Sequence, residues 1–234
     1  MQIPLARQRG FSNETKSRRR GFSYGAKRLA VHLLCGWLAL AGPALAATVN
    51  IVAFGDSLTA GYLLPAGDAF PVVLEAALKA KGMDVAVANA GVSGDTTTGG
   101  VARLDWSVPE GTDLVILELG ANDMLRGLAP SVPRGNLETI LSRLHDRKIK
   151  VLLAGMLATP SLGPAYKKEF DAIYPDLAKS YAVPLYPFFL DGANFAPGTT
   201  MPDGLHPTRR GVDAIVARMV PQVAAMVREI AAAR

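Results

Sequence analysis

The stretch Asn50-Ile51-Val52-Ala53-Phe54-Gly55-Asp56-Ser57-Leu58-Thr59 is an apolar, partly β-branched run that stops at a glycine and a polar cluster. The apolar residues of Val49–Phe54 are nearly continuous rather than alternating, the pattern of a strand covered on both faces in a parallel sheet. Outward from it the same pattern recurs at Val85–Ala88, Leu114–Leu119, Lys150–Ala154 and Val183–Tyr186, which predicts five strands. Between these runs the apolar period changes to that of helices. Phe70, Val73, Leu74, Ala77 and Leu78 form one stripe, and Leu137, Ile140, Leu141 and Leu144 form another. The last segment aligns Val212, Ile215, Val216, Met219, Val220, Val223, Val227 and Ile230, with a kink expected at Pro221. Strands alternating with helices predict an α/β fold with a parallel sheet and right-handed crossovers.

In such sheets, sites form beyond the carboxyl ends of the strands. Gly55-Asp56-Ser57-Leu58-Thr59 follows the first strand and Asn89-Ala90-Gly91-Val92-Ser93-Gly94-Asp95 the second. Gly120-Ala121-Asn122-Asp123 follows the third, and Asp203-Gly204-Leu205-His206-Pro207 precedes the last helix. All four clusters therefore converge on one edge of the sheet. Taken singly, each has a plain structural reading: Gly-Asp-Ser as a turn, Asn122-Asp123 as a helix cap, Asp-Gly-Leu-His-Pro as a turn. Together they offer a chemistry. Ser57 supplies a hydroxyl nucleophile that needs a base at neutral pH. His206 is the candidate base, and Pro207 biases it toward extended backbone ahead of the helix. Asp203 stands three residues away, able to fix the tautomer of the imidazole. Oxyanion donors are available from the backbone N–H groups of Ser57 and Gly94 and the side-chain amide of Asn122.

Other chemistries find little support. His145 lies one position off the apolar stripe of its helix and reads as a boundary or solvated residue. No Cys-His cluster, H-E-x-x-H, Walker A, G-x-G-x-x-G or G-x-S-x-G pattern occurs, so neither a metal nor a cofactor is expected. Glu118 is a charge inside an apolar strand, open to two readings: a paired structural group or a partner of the site.

The chain has 234 residues, 50% of them hydrophobic, with 25 Lys or Arg against 20 Asp or Glu. The basic balance is unevenly placed. Residues 1–46 hold eight basic side chains and the single acid Glu14, which leaves 17 basic and 19 acidic residues in 47–234, a net charge of −2. The basic character is thus no sign of nucleic-acid binding. Residues 1–46 read as a cleavable export signal: a basic stretch ending at Lys27-Arg28, an apolar run from Leu29 to Gly42, and Ala44-Leu45-Ala46 as an A-x-A cleavage site. A retained signal anchor is the alternative, although the apolar run is short for a membrane span. Arg19-Arg20-Gly21-Phe22 partly matches a twin-arginine signal. The only cysteine, Cys35, lies inside the apolar run, so the chain after Ala46 has no thiol. The expected product is a periplasmic or secreted domain of residues 47–234 with no stable membrane span.

The four clusters, in this order, resemble the GDSL or SGNH hydrolase family, with Ser57, Gly94, Asn122 and His206 in the places of its four letters. The likeness is closest to its branch of bacterial periplasmic thioesterases, arylesterases and lysophospholipases. It extends through Ala172-Ile173-Tyr174-Pro175-Asp176-Leu177-Ala178 and Val183-Pro184-Leu185-Tyr186-Pro187-Phe188-Phe189. The resemblance implies a three-layer, flavodoxin-like α/β/α fold with a five-stranded parallel sheet. It also implies a Ser57–His206–Asp203 triad and an oxyanion hole of Ser57, Gly94 and Asn122. Two departures stand out: Ala121 replaces a frequent second glycine, and residues 156–164 are less polar than in the thioesterase branch. The expected activity is hydrolysis of small-molecule carboxylic esters, and of thioesters, through a seryl-acyl intermediate. Leu125, Met156, Leu157 and Leu162 are the expected acyl-contacting surface. Alternatives are a carbohydrate O-acetyl esterase, for which Tyr62 is the main sugar-facing aromatic, and a non-catalytic acyl- or glycan-binding protein.

Overall fold

The computed structural model describes residues 47–193 and 196–234; the expected export signal, Cys35 included, lies outside the described residues. The strands are β1 (Val49–Gly55), β2 (Val85–Gly91), β3 (Leu114–Glu118), β4 (Lys150–Ala154) and β5 (Leu185–Tyr186). All pair in parallel in the order β2-β1-β3-β4-β5. The helices are α1 (Ser57–Ala60), α2 (Phe70–Lys79), α3 (Thr97–Ser107), α4 (Ala121–Leu125), α5 (Ser131–Asp146), α6 (Pro164–Asp171), α7 (Ile173–Ser180) and α8 (Arg209–Ala232).

Strand order and handedness together place the helices. The step from β1 to β2 runs one way across the sheet, and every later step runs the other way. Right-handed crossovers then put α2 on one face and α3, α5 and α7 on the opposite face. In keeping with this, α2 packs on α8, and α3 packs on α5. The result is three layers. The connections from β1 and β3 run to opposite sides of the sheet, which opens a crevice at the carboxyl ends of these two strands, the usual binding position in such folds.

Burial follows the expected patterns with informative exceptions. Every residue of β3 is buried, as are Phe70, Leu74 and Leu78 of α2 and all four stripe residues of α5. In α8, Val212 through Val227 of the stripe are buried and Ile230 is half-buried. That helix continues through Pro221, which sits on its exposed side. β2 departs from the covered-strand pattern: as an edge strand it is buried fully only at Val85. β5 is shorter than expected because Pro184 has no N–H for the ladder, although its carbonyl still accepts from Leu153 N–H. No helix among the described residues is long and apolar enough to cross a membrane.

Candidate active site

Asp56 ends β1 and starts α1. Its carboxylate Oδ1 accepts the Leu58 N–H at 3.0 Å, capping the short helix and holding Ser57 at its first position. Ser57 is buried down to 9% exposure but faces the crevice. Its hydroxyl lies 2.9 Å from His206 Nε2, a contact between residues 149 positions apart. On the other side of the ring, Nδ1 lies 2.7 Å from Asp203 Oδ2. Asp203 Oδ1 accepts the N–H groups of Leu205 and His206 at 2.9 and 3.0 Å, so the loop folds around its own carboxylate. The Leu205 N–H and the His206 side chain hold the Asp203 carboxyl down at about 2. It is therefore a carboxylate throughout the neutral range, and it selects the tautomer with the proton on Nδ1. Nε2 is then free to accept the proton of Ser57. The Tyr62 ring rests against the imidazole, centroids 4.6 Å apart.

The candidate oxyanion donors meet at the same edge. Gly94 has φ +80°, and a Cβ there would meet nothing within 4 Å, so backbone conformation rather than space favours glycine. Among the described residues, the N–H groups of Ser57 and Gly94 donate to no protein atom. Asn122 Nδ2 is differently placed. It donates to Asp56 Oδ2 and to the Asp95 carbonyl, each at 2.9 Å, which engages both of its hydrogens. For the Asn122 amide to serve as an oxyanion donor, one of these two acceptors would have to be given up. Gly120, with φ +119°, starts α4; a Cβ there would lie 2.3 Å from the Tyr174 hydroxyl, which itself donates to the Leu119 carbonyl. Asp123 is not a cap: it is buried and accepts from the N–H and hydroxyl of Thr97, tying α4 to α3.

Three supporting residues escaped sequence reasoning. Arg103, only 6% exposed, donates to the carbonyls of Gly55 and Ala90 and to the Asp95 carboxylate. It thereby joins the ends of β1 and β2 to the loop that carries Gly94, with its guanidinium 4.0 Å from the centre of the Phe54 ring. The available signal was a basic residue in phase with the buried Gly100 and Leu104 of α3. Arg126, just past the end of α4, donates to the Gly94 carbonyl at 2.7 Å and braces the same loop. Asp56, quoted in the motif but given no role, turns out to hold Asn122. Burial pushes its carboxyl up to about 6, and burial together with the Asp56 charge pushes Glu118 well above the usual carboxylate range. Glu118 is the site's neighbour rather than half of an ion pair; its Oε2 accepts from Thr59 Oγ1 at 2.8 Å and from Asp56 N–H at 3.2 Å.

Beside Ser57 and His206 opens a cavity of about 770 Å³. Its walls include Leu125, Met156, Leu157, Phe188, Leu190 and Leu205. Three of the four expected acyl-contacting residues line it. Leu162 does not: it closes the turn Pro160–Leu162 and its side chain turns inward, half-buried against the core. His145 is exposed on α5 and takes no part. Among the described residues no cluster of side chains is arranged to hold a metal ion.

A hydroxyl, an imidazole and a carboxylate in hydrogen-bonded series, set at the carboxyl edge of a parallel sheet, are the parts of an ester-hydrolysing α/β enzyme. Comparison with known proteins agrees. The chain belongs to the GDSL-like lipase/acylhydrolase family, whose pattern it matches over residues 53–214. It is 43% identical over 162 residues to an arylesterase of Vibrio mimicus, covering 69% of this chain and 81% of that one. It is 36% identical over 183 residues to thioesterase 1/protease 1/lysophospholipase L1 of Escherichia coli, covering 78% and 86%. Among solved structures it resembles AlinE4, an SGNH-hydrolase family esterase, with a TM-score of 0.65 and 47% identity over 76% of this chain and 96% of that one. The chain is accordingly an enzyme that hydrolyses carboxylic esters of small molecules.

Proposed function

We propose that the enzyme transfers acyl groups to water through a seryl ester on Ser57, taking aryl and medium-chain acyl esters, and thioesters of the same acids. The observation that carries this reading is the Ser57–His206–Asp203 series opening onto a mostly apolar cavity. His206 takes the Ser57 proton as the oxygen attacks the carbonyl carbon. The tetrahedral oxyanion is met by the N–H groups of Ser57 and Gly94 and by the Asn122 amide. Collapse expels the alcohol or thiol, which leaves with the proton from His206. Water, deprotonated by the same imidazole, then attacks the acyl carbon and releases the acid. The imidazole must begin neutral at Nε2 to take this proton.

The cavity supports acyl chains over sugars because its walls are mostly apolar and Tyr62, packed on His206, does not line it. Each buried methylene contributes about 0.8 kcal/mol, so kcat/KM should rise about fourfold per added CH₂ until the cavity is filled. Initial rates on a p-nitrophenyl ester series from acetyl to palmitoyl, beside acyl-CoA thioesters and acetylated xylan, test this, with Ser57→Ala as the blank. A Ser57-dependent optimum at intermediate chain length supports the reading. Preference for the acetylated glycan would overturn it in favour of a carbohydrate esterase. We further propose that residues 1–46 direct export and that residues 47–234 act as a single domain outside the cytoplasm. N-terminal sequencing of the enzyme recovered from the cell envelope fraction should begin at Ala47; an intact leader there would argue for an anchor.

A further inference from the structure

Two carboxyl groups stand side by side under Ser57, and neither faces water. Glu118 is the last residue of β3, in register with Gly55 on β1, and is fully buried. Its carboxyl lies so close over Gly55 that a Cβ there would meet Oε2 at 2.5 Å. Asp56, equally buried, follows Gly55, and its N–H donates to Glu118 Oε2 at 3.2 Å, which makes the two carboxyl groups neighbours. Their other partners are unequal. Asp56 accepts from Leu58 N–H on Oδ1 and from the Asn122 amide on Oδ2, the environment of an anion. Glu118 has both its donors on Oε2, and Oε1 is buried with no partner among the described residues.

Two adjacent buried carboxylates repel strongly, and such pairs keep one proton between them. The geometry says which partner keeps it. An ionised Glu118 would leave a charged oxygen naked in the interior, whereas a neutral acid has a proton to give and fewer lone pairs to satisfy. We propose that Glu118 is a positioning residue: held as a neutral acid, it donates a hydrogen bond to the Asp56 carboxylate, which in turn orients the Asn122 amide toward the oxyanion. Burial, and after it the Asp56 charge, raise the Glu118 carboxyl, in keeping with this division. The chain Glu118–Asp56–Asn122 thus does for the oxyanion donor what Asp203 does for His206. It leaves the Asp95 carbonyl as the acceptor that Asn122 gives up when the oxyanion arrives, since Asp56 is the more firmly held of the two.

This inference rests on the serine-esterase reading, and the test separates the two. Glu118→Gln keeps an acceptor for Asp56 N–H and Thr59 and supplies an N–H for the Asp56 carboxylate, so it reproduces the neutral acid. Glu118→Ala removes both. On a p-nitrophenyl ester, with the full chain and Ser57→Ala subtracted, Glu118→Gln should keep kcat near wild type. Glu118→Ala should lower kcat by about 10- to 100-fold with KM unchanged, less than the 10²–10³-fold typical for loss of an oxyanion donor itself. If Glu118→Gln is as impaired as Glu118→Ala, the charge is needed and the proposal is wrong. It is equally wrong if Glu118→Ala loses thermal stability alone and keeps kcat. Should Glu118→Ala not fold, infrared spectroscopy at neutral pH decides: the C=O stretch of a buried carboxylic acid must be present in wild type and absent in Glu118→Gln. A wild type without that band overturns the proposal. A wild type without Ser57-dependent turnover overturns the esterase reading instead, and leaves the infrared result to judge Glu118.

Discussion

Ser57→Ala is expected to lower kcat by about 10⁴- to 10⁶-fold, the range seen when a catalytic serine is removed from a triad. The fold should survive. The Ser57 hydroxyl makes its one side-chain hydrogen bond to His206, and α1 is capped by Asp56 rather than by Ser57. Substrate binding should change little, because the walls of the cavity are untouched. The measurement is a single-turnover and steady-state comparison on an aryl ester, with thermal unfolding as the control for structure. Turnover comparable to wild type in a well-folded variant would remove Ser57 from the mechanism and leave His206 activating water directly.

The second large effect is at Asp203, where two substitutions should differ in an instructive order. Asp203→Asn places an amide beside Nδ1 of His206. If the amide N–H faces the ring, Nδ1 becomes an acceptor and the proton moves to Nε2, where it blocks acceptance of the Ser57 proton. A loss of about 10⁴-fold in kcat follows, with KM nearly unchanged. Asp203→Ala removes the carboxylate but imposes no tautomer. The Asp203 side chain is 36% exposed, so water can reach the vacated place and accept from Nδ1–H. Asp203→Ala should therefore retain more activity than Asp203→Asn. The reverse order would mean that Asp203 acts mainly by holding the loop through the N–H groups of Leu205 and His206, which Asn can still cap. Acidification gives a supporting check. With the Asp203 carboxyl held at about 2, mildly acidic buffer leaves it ionised, so a loss of rate there does not come from protonation of Asp203.

Much of the architecture was legible because it is written in local periods. Continuous apolar runs marked all five strands, and stripes at helical spacing marked α2, α5 and α8. Errors arose where neighbours decide. β2 looked like a covered strand, yet its place at the edge leaves most of it accessible. Leu162 was expected on the apolar surface that contacts the acyl group, yet the turn Pro160–Leu162 leaves it half-buried against the core. Arg103 gave almost no signal as a lone basic residue, because its worth lies in three acceptors contributed by three other segments.

The sequence by itself determined the kinds of group at the site and the edge on which they gather, since strand direction and turn chemistry are properties of short segments. It could offer Ser57, His206, Asp203, Gly94 and Asn122 as candidates without any coordinate. Only the tertiary structure decided that Ser57 meets His206 across 149 residues at 2.9 Å, and that Asn122 spends both amide hydrogens on Asp56 and Asp95. It alone placed the buried Glu118 carboxyl where its Oε2 accepts from Asp56 N–H and Thr59. The physical reason is range. Hydrophobic period and backbone preference act over a few residues, whereas hydrogen-bond distance and desolvation depend on what the crossovers bring in from the rest of the chain.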